Sequence, residues 1–111
     1  MMGPSAKFWS DILTAIGEVE SFLEGVGSLN EYVRDLKTKR AVERELAVIG
    51  EAVNRLRKEE PGLQLDCARS IVGMRNRLIH SYANVDDKIV WEVVQIDLPM
   101  LRVIAEERLG E

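Results

Sequence analysis

The chain has 111 residues, 46% hydrophobic and 31% charged, with a single cysteine and a formal net charge of −4. That length supports one domain with its own core, and the composition excludes a disordered chain. One cysteine excludes an intramolecular disulfide and a multi-cysteine metal site.

The apolar runs are short and interrupted by charge, so no membrane span is expected. Residues 1–7 lack an apolar signal core and read as a flexible start to a single domain covering 1–111, with a cytoplasmic location expected.

The periodicity is helical from end to end. Ile12, Ile16, Val19, Leu23 and Val26 recur at spacings of four and three, one stripe of a first helix, which Gly25 and Gly27 end. Ser28 with Glu31 forms a capping-box pattern for a short second helix over about 29–35. Val42, Leu46, Ile49, Val53 and Leu56 give a long third helix, stopped by Pro61-Gly62. A fourth is expected from about Asp66, a candidate N-cap, to Tyr82, with Asn84 just past its end. Asp86 can cap a fifth, whose inner side carries Ile89, Val93, Leu101 and Ile104. Pro99 inside it predicts a kink or break. Strict alternation is absent, so the expected fold is all-α: an up-and-down bundle of four or five helices.

Charge is unevenly spread. Residues 37–82 hold ten basic and six acidic side chains, and both flanks are acidic. A local basic patch can bind phosphates although the whole chain is acidic, because screening confines each field to about 10 Å. Lys39, Arg40, Arg44 and Arg77 are the candidate RNA-binding side chains. The alternative is a solvated helix face.

The fourth helix carries the chemistry. At 100° per residue, Ile71, Val72, Leu78, Ile79 and Tyr82 lie within about 60° of Arg75. A guanidinium amid an apolar stripe is costly unless paired, so Arg75 is expected to meet an acid or a bound anion in a cleft or interface. Glu51 on the third helix is the candidate acid, with Glu45 and Glu92 as alternatives. Asn76, His80 and Gly73 form a second stripe about 100–160° away. Arg75 offers a permanent fork of donors for phosphate oxygens. His80, the sole histidine, can exchange protons near neutrality. Gly73 leaves room for a ligand or another backbone. Arg75 could instead only neutralise a buried acid, and His80 and Tyr82 could be structural.

Met74-Arg75-Asn76-Arg77-Leu78-Ile79-His80-Ser81-Tyr82 resembles the signature of HEPN domains, and Tyr two positions after His resembles the HepT-like toxin branch. The stretches Ala41 to Leu46, Ile49-Gly50-Glu51-Ala52, Ile71-Val72-Gly73, Val85-Asp86, Val90-Trp91 and Asp97-Leu98-Pro99 resemble the same branch in order, so the likeness runs from about Phe8 to Leu109. One departure is Leu65-Asp66-Cys67-Ala68-Arg69, where family members often carry a Trp.

The resemblance implies a metal-independent RNase that needs no cofactor and acts as a homodimer. Arg75 and His80 would be catalytic at a shared cleft, with Asn76 and Glu51 supporting. It also implies a type VII toxin–antitoxin system. There a nucleotidyltransferase antitoxin of the MNT type would transfer AMP to Tyr82, making O-AMP-tyrosine. The competing reading is a non-catalytic HEPN subunit that binds nucleotide or substrate and docks a nucleotidyltransferase.

Overall fold

The computed structural model describes residues 3–80 and 85–110, and among them every regular element is helical. The expected modification site, Tyr82, and Asn84 lie outside the described residues. Helix α1 spans Ala6–Phe22, so Ala6 and Lys7 already belong to it. It buries Trp9, Ile12, Ala15, Ile16 and Val19, and Leu23 and Val26 pack against the core beyond its end. Gly25, at φ +82°, makes the turn that follows, a conformation a side chain would oppose.

Helix α2 (Leu29–Arg34) starts at Ser28, whose hydroxyl accepts from the Glu31 N–H at 3.2 Å. The Glu31 carboxylate reaches back one residue further than in the usual box, accepting from the Gly27 N–H at 2.9 Å. Asp35 ends α2 and caps α3 (Leu36–Glu59), accepting from the Thr38 N–H at 3.1 Å and its hydroxyl at 2.6 Å. Helix α3 is the axis of the bundle. Its stripe Val42, Leu46, Ile49, Val53 and Leu56 is buried, and it packs against α1 on one side and α4 on the other.

Helix α4 (Ala68–His80) opens with the carbonyl of the buried Cys67 accepting from the Ile71 N–H at 3.1 Å, so Cys67 takes the cap position expected for Asp66. Helix α5 (Asp87–Glu92) starts where Asp86 accepts from the Lys88 N–H at 2.9 Å. A single π-helical turn over Val93–Asp97 then leads into α6 (Leu98–Gly110). Pro99 is the second residue of α6. It has no N–H to give to residue 95, and its ring crowds that carbonyl. The wide turn accommodates this with helical dihedrals at Val93 and Leu98, so a π bulge in a continuous helical run stands where a kink or break was expected. Helix α6 returns along α1, and α2 bridges α3 and α5, with the Tyr32 and Trp91 rings 5.5 Å apart.

Gly50 sets the distance between α3 and α4. A Cβ there would lie 2.2 Å from the Arg75 Cβ and 3.2 Å from the Ile71 carbonyl oxygen. Gly50→Ala is therefore expected to lower stability by about 1–3 kcal/mol in denaturant unfolding, since overpacking outweighs the roughly 1 kcal/mol by which Ala favours a helix. A gain in stability would contradict this contact.

Glu45 on α3 is held above the ordinary carboxylate range, first by burial and then by the hydrogen bond and charge of Glu18 on α1. The fold thus prefers it protonated, and the associated stability is lost as pH rises through the raised value. Glu45→Gln should raise Tm at neutral pH, by less than the about 4–8 °C that 1 kcal/mol gives in a domain this size. The gain should vanish below about pH 4, the ordinary range for Glu. Thermal scans at both pH values check this.

Candidate functional site

The close approach at Gly50 lays the stem of Arg75 along α3 and fixes where its guanidinium can go. The Arg75 side chain is 24% exposed, and its Nη2 lies 2.7 Å from Oε2 of Glu51, one residue after the glycine. Nη1 donates to Oδ1 of Asn76 at 3.0 Å. The apolar position of Arg75 is thus resolved by an ion pair with Glu51 at the edge of the α3–α4 seam. Glu51 is shared, because its Oε1 accepts from Arg55 Nε at 3.1 Å. The Arg75–Glu51 approach is close but not aligned as a hydrogen bond. Glu51 Oε2 is therefore buried without a hydrogen-bond partner among the described residues, and so is Arg75 Nε, which no acceptor reaches. The site keeps polar capacity that a small reorientation or a bound anion could use.

Two clefts flank α4. The first, about 520 Å³, lies between α1, α3 and α4; Arg75, Glu51, Arg44 and Arg55 line it with Phe8 and Ile79. The second, about 740 Å³, lies between α4 and the α5–π-turn segment, and Arg69, Gly73, Arg77, Glu92 and Asp97 line it. Gly73 faces open space there, and a Cβ added to it would meet no described atom within 4 Å. Burial holds the Asp97 carboxyl above its ordinary range.

His80 is exposed at the last described position of α4, about 140° around the helix from Arg75. The two candidate catalytic groups therefore leave α4 toward different sides. Asn76, exposed between them in angle, contacts Arg75.

The four candidate RNA-binding side chains do not form one patch. Arg44 lines the first cleft and Arg77 the second. Lys39 pairs with Asp87 at 2.8 Å and is only 16% exposed; Arg40 pairs with Glu43 at 3.0 Å. Neither lines either cleft. Sequence reasoning passed over Arg55 and Lys7, which do line the first cleft. The available signal was the i,i+4 spacing of Glu51 and Arg55, which lets one carboxylate serve two guanidiniums. Glu45 faces Glu18 rather than Arg75.

No group of three or more His, Cys, Asp or Glu side chains among the described residues could hold a metal ion, and no helix among them is long and apolar enough to cross a membrane.

Comparison with known proteins gives this geometry a family. The family model described as "Ribonuclease HepT-like" matches residues 12–108. The "Probable ribonuclease HepT" of Thermococcus cleftensis is 33% identical over 96 residues, 86% of each chain. A protein of Caldanaerobacter subterraneus subsp. tengcongensis, named as a candidate RNase, is 38% identical over 83% of this chain and 85% of its own. Another so named, from Methanocaldococcus jannaschii, is 32% identical over 86% of this chain and 87% of its own. No solved structure matches the chain. With a helical bundle that carries the Arg75-Asn76 and His80 motif on α4, and a family match over almost its whole length, the chain belongs to the HepT-like ribonuclease family of HEPN proteins.

Proposed function

We propose that the protein is a metal-independent endoribonuclease, with Arg75 and His80 as its catalytic residues. The observation that carries this reading is the placement of Arg75: a guanidinium oriented by Glu51 and Asn76 at the rim of a cleft, on the helix that also carries the chain's one histidine. His80 assists attack of an RNA 2′-hydroxyl on the adjacent phosphorus by taking its proton. The P–O5′ bond breaks, and the leaving 5′-oxygen takes up a proton. Arg75 stabilises the charge that builds on the phosphoryl oxygens. Asn76 and Glu51 act as positioning residues through Arg75. Arg44 and Arg77 attract the flanking phosphates, with Arg40 and Lys39 further out.

Because Arg75 and His80 diverge around α4, one copy does not bring them onto one phosphate. A homodimer that faces two α4 helices across a shared cleft does, with the Arg75 of one copy and the His80 of the other meeting the same phosphate. In this reading the protein is the toxin of a type VII system, and its partner is a nucleotidyltransferase antitoxin of the MNT type. The partner would transfer AMP from ATP to the Tyr82 hydroxyl, with pyrophosphate leaving; the added bulk and negative charge, two positions after His80 in sequence, repel RNA phosphates.

The test is cleavage of tRNA or mRNA by purified protein in EDTA. Arg75→Ala is expected to cut the rate by about 10²–10³-fold, and His80→Ala by about 10²–10⁴-fold. Wild type that cleaves no better than His80→Ala would remove the nuclease reading. Co-purification with a nucleotidyltransferase but no cleavage would select the non-catalytic subunit instead.

A further inference from the structure

The cleft between α1, α3 and α4 holds more positive charge than the pairing of Arg75 requires. Four cations line it, Lys7, Arg44, Arg55 and Arg75, against two acids, Asp11 and Glu51. The Glu51 carboxylate touches two guanidiniums at once, Arg55 through Oε1 and Arg75 through Oε2. One negative charge therefore holds two positive ones side by side, and their mutual repulsion favours a second anion. The Arg55 side chain is 60% exposed, and its terminal nitrogens make no hydrogen bond among the described residues. Beside the cations lies an apolar shelf of Phe8, Val48 and Ile79, the last two 37% and 38% exposed.

We propose that this cleft is a nucleotide subsite for single-stranded RNA, with a phosphate on Arg55 and Arg44 and the neighbouring base on the Phe8–Val48–Ile79 shelf. The inference rests on the nuclease reading and places a residue of the RNA strand next to the phosphate at Arg75.

Four features support it. Guanidinium forks match phosphate oxygens two at a time, and a pair held by a shared carboxylate loses little freedom on binding. A volume of about 520 Å³ lies within the range of about 300–1,000 Å³ that small ligands fill, so it suits one unstacked nucleotide. Four cations against two acids leave the cleft net positive, which suits a strand of phosphates, whereas a two-fold contact here would set these cations against the same cations of a second copy. A single aromatic ring also suits one stacked base and not a long track of them.

The experiment uses the full chain carrying His80→Ala, in EDTA, with a short fluorescein-labelled single-stranded RNA followed by anisotropy across a KCl series. Arg55→Ser and Arg44→Ser in that background are each expected to weaken binding about tenfold. Each should also reduce the slope of log K against log salt by about 0.7, the value for one lost phosphate contact on a single strand. Arg34→Ser on α2, which does not line the cleft, is the control and should change the affinity less than about twofold. Adenosine or uridine 5′-monophosphate should displace the RNA at lower concentration than ribose 5-phosphate, because only the former have a base for the shelf.

Unchanged affinity and slope in both cleft variants would overturn the proposal, as would equal competition by nucleotide and ribose 5-phosphate. Altered sedimentation of Arg55→Ser with unaltered RNA binding would also overturn it and assign the shelf to contact between copies. Cleavage by the His80-containing protein, run in parallel, reports separately on the nuclease reading. Loss of RNA binding in Arg55→Ser without any cleavage by that parent would keep the subsite and remove the nuclease.

Discussion

The arrangement depends on one contact, the passage of the Arg75 stem over Gly50. Any side chain at position 50 would occupy the space of the Arg75 Cβ and push α4 away from α3. With glycine there, the two helices close, Ile71 and Met74 are buried, and the guanidinium emerges beside Glu51. Half-burying a cation costs free energy unless a partner and an opening to solvent compensate, and this site supplies both. Gly50 therefore has an architectural role and an electrostatic one: it sets helix spacing, and through that spacing the direction in which Arg75 points.

The acidic net charge does not erase the basic character of the first cleft, because several acids pair with cations outside it. Asp87 pairs with Lys39, Glu20 with Arg102, and Glu60 with Arg108, whose guanidinium also lies over the Trp9 ring. These pairs link residues distant in sequence, each contributing little by itself in a partly solvated setting. They leave the first cleft as a place where cations outnumber acids.

Much of this was legible in the sequence, and the parts that were not have physical reasons. The stripes of α1 and α3 follow directly from helical spacing, since burial of one face is what stabilises a helix in a bundle. The Ser28 cap and the Asp86 start were readable because short polar side chains satisfy the orphan N–H groups of a first turn. The start of α4 was readable to within a residue or two: Asp66 has the chemistry of a cap, but the carbonyl of Cys67 makes the first helical bond, to the Ile71 N–H. Pro99 announced a disturbance but not its form, since a π turn and a kink relieve the same clash.

In the site, Arg75 was conspicuous as a charge in an apolar stripe, and Glu51 as the acid within reach. Gly50 stood out only as part of a family-like stretch, because close approach is a property of two helices and not of one. Arg55 was passed over since a charge four residues from an acid normally solvates a helix face. Lys39 and Arg40 have the chemistry of RNA ligands, but tertiary pairing with Asp87 and local pairing with Glu43 engage them.

The angular divergence of Arg75 and His80 on α4 leads to the central claim, that one phosphate site is assembled from two copies. Subunit mixing tests it most directly. Arg75→Ala and His80→Ala protein, each inactive alone, are dissociated, combined in equal amounts and reassociated. Random pairing makes half the dimers mixed, and each mixed dimer regains one of two sites, so about a quarter of wild-type RNA cleavage should return. A mixture as inactive as its components would contradict a shared site and require Arg75 and His80 to act within one chain.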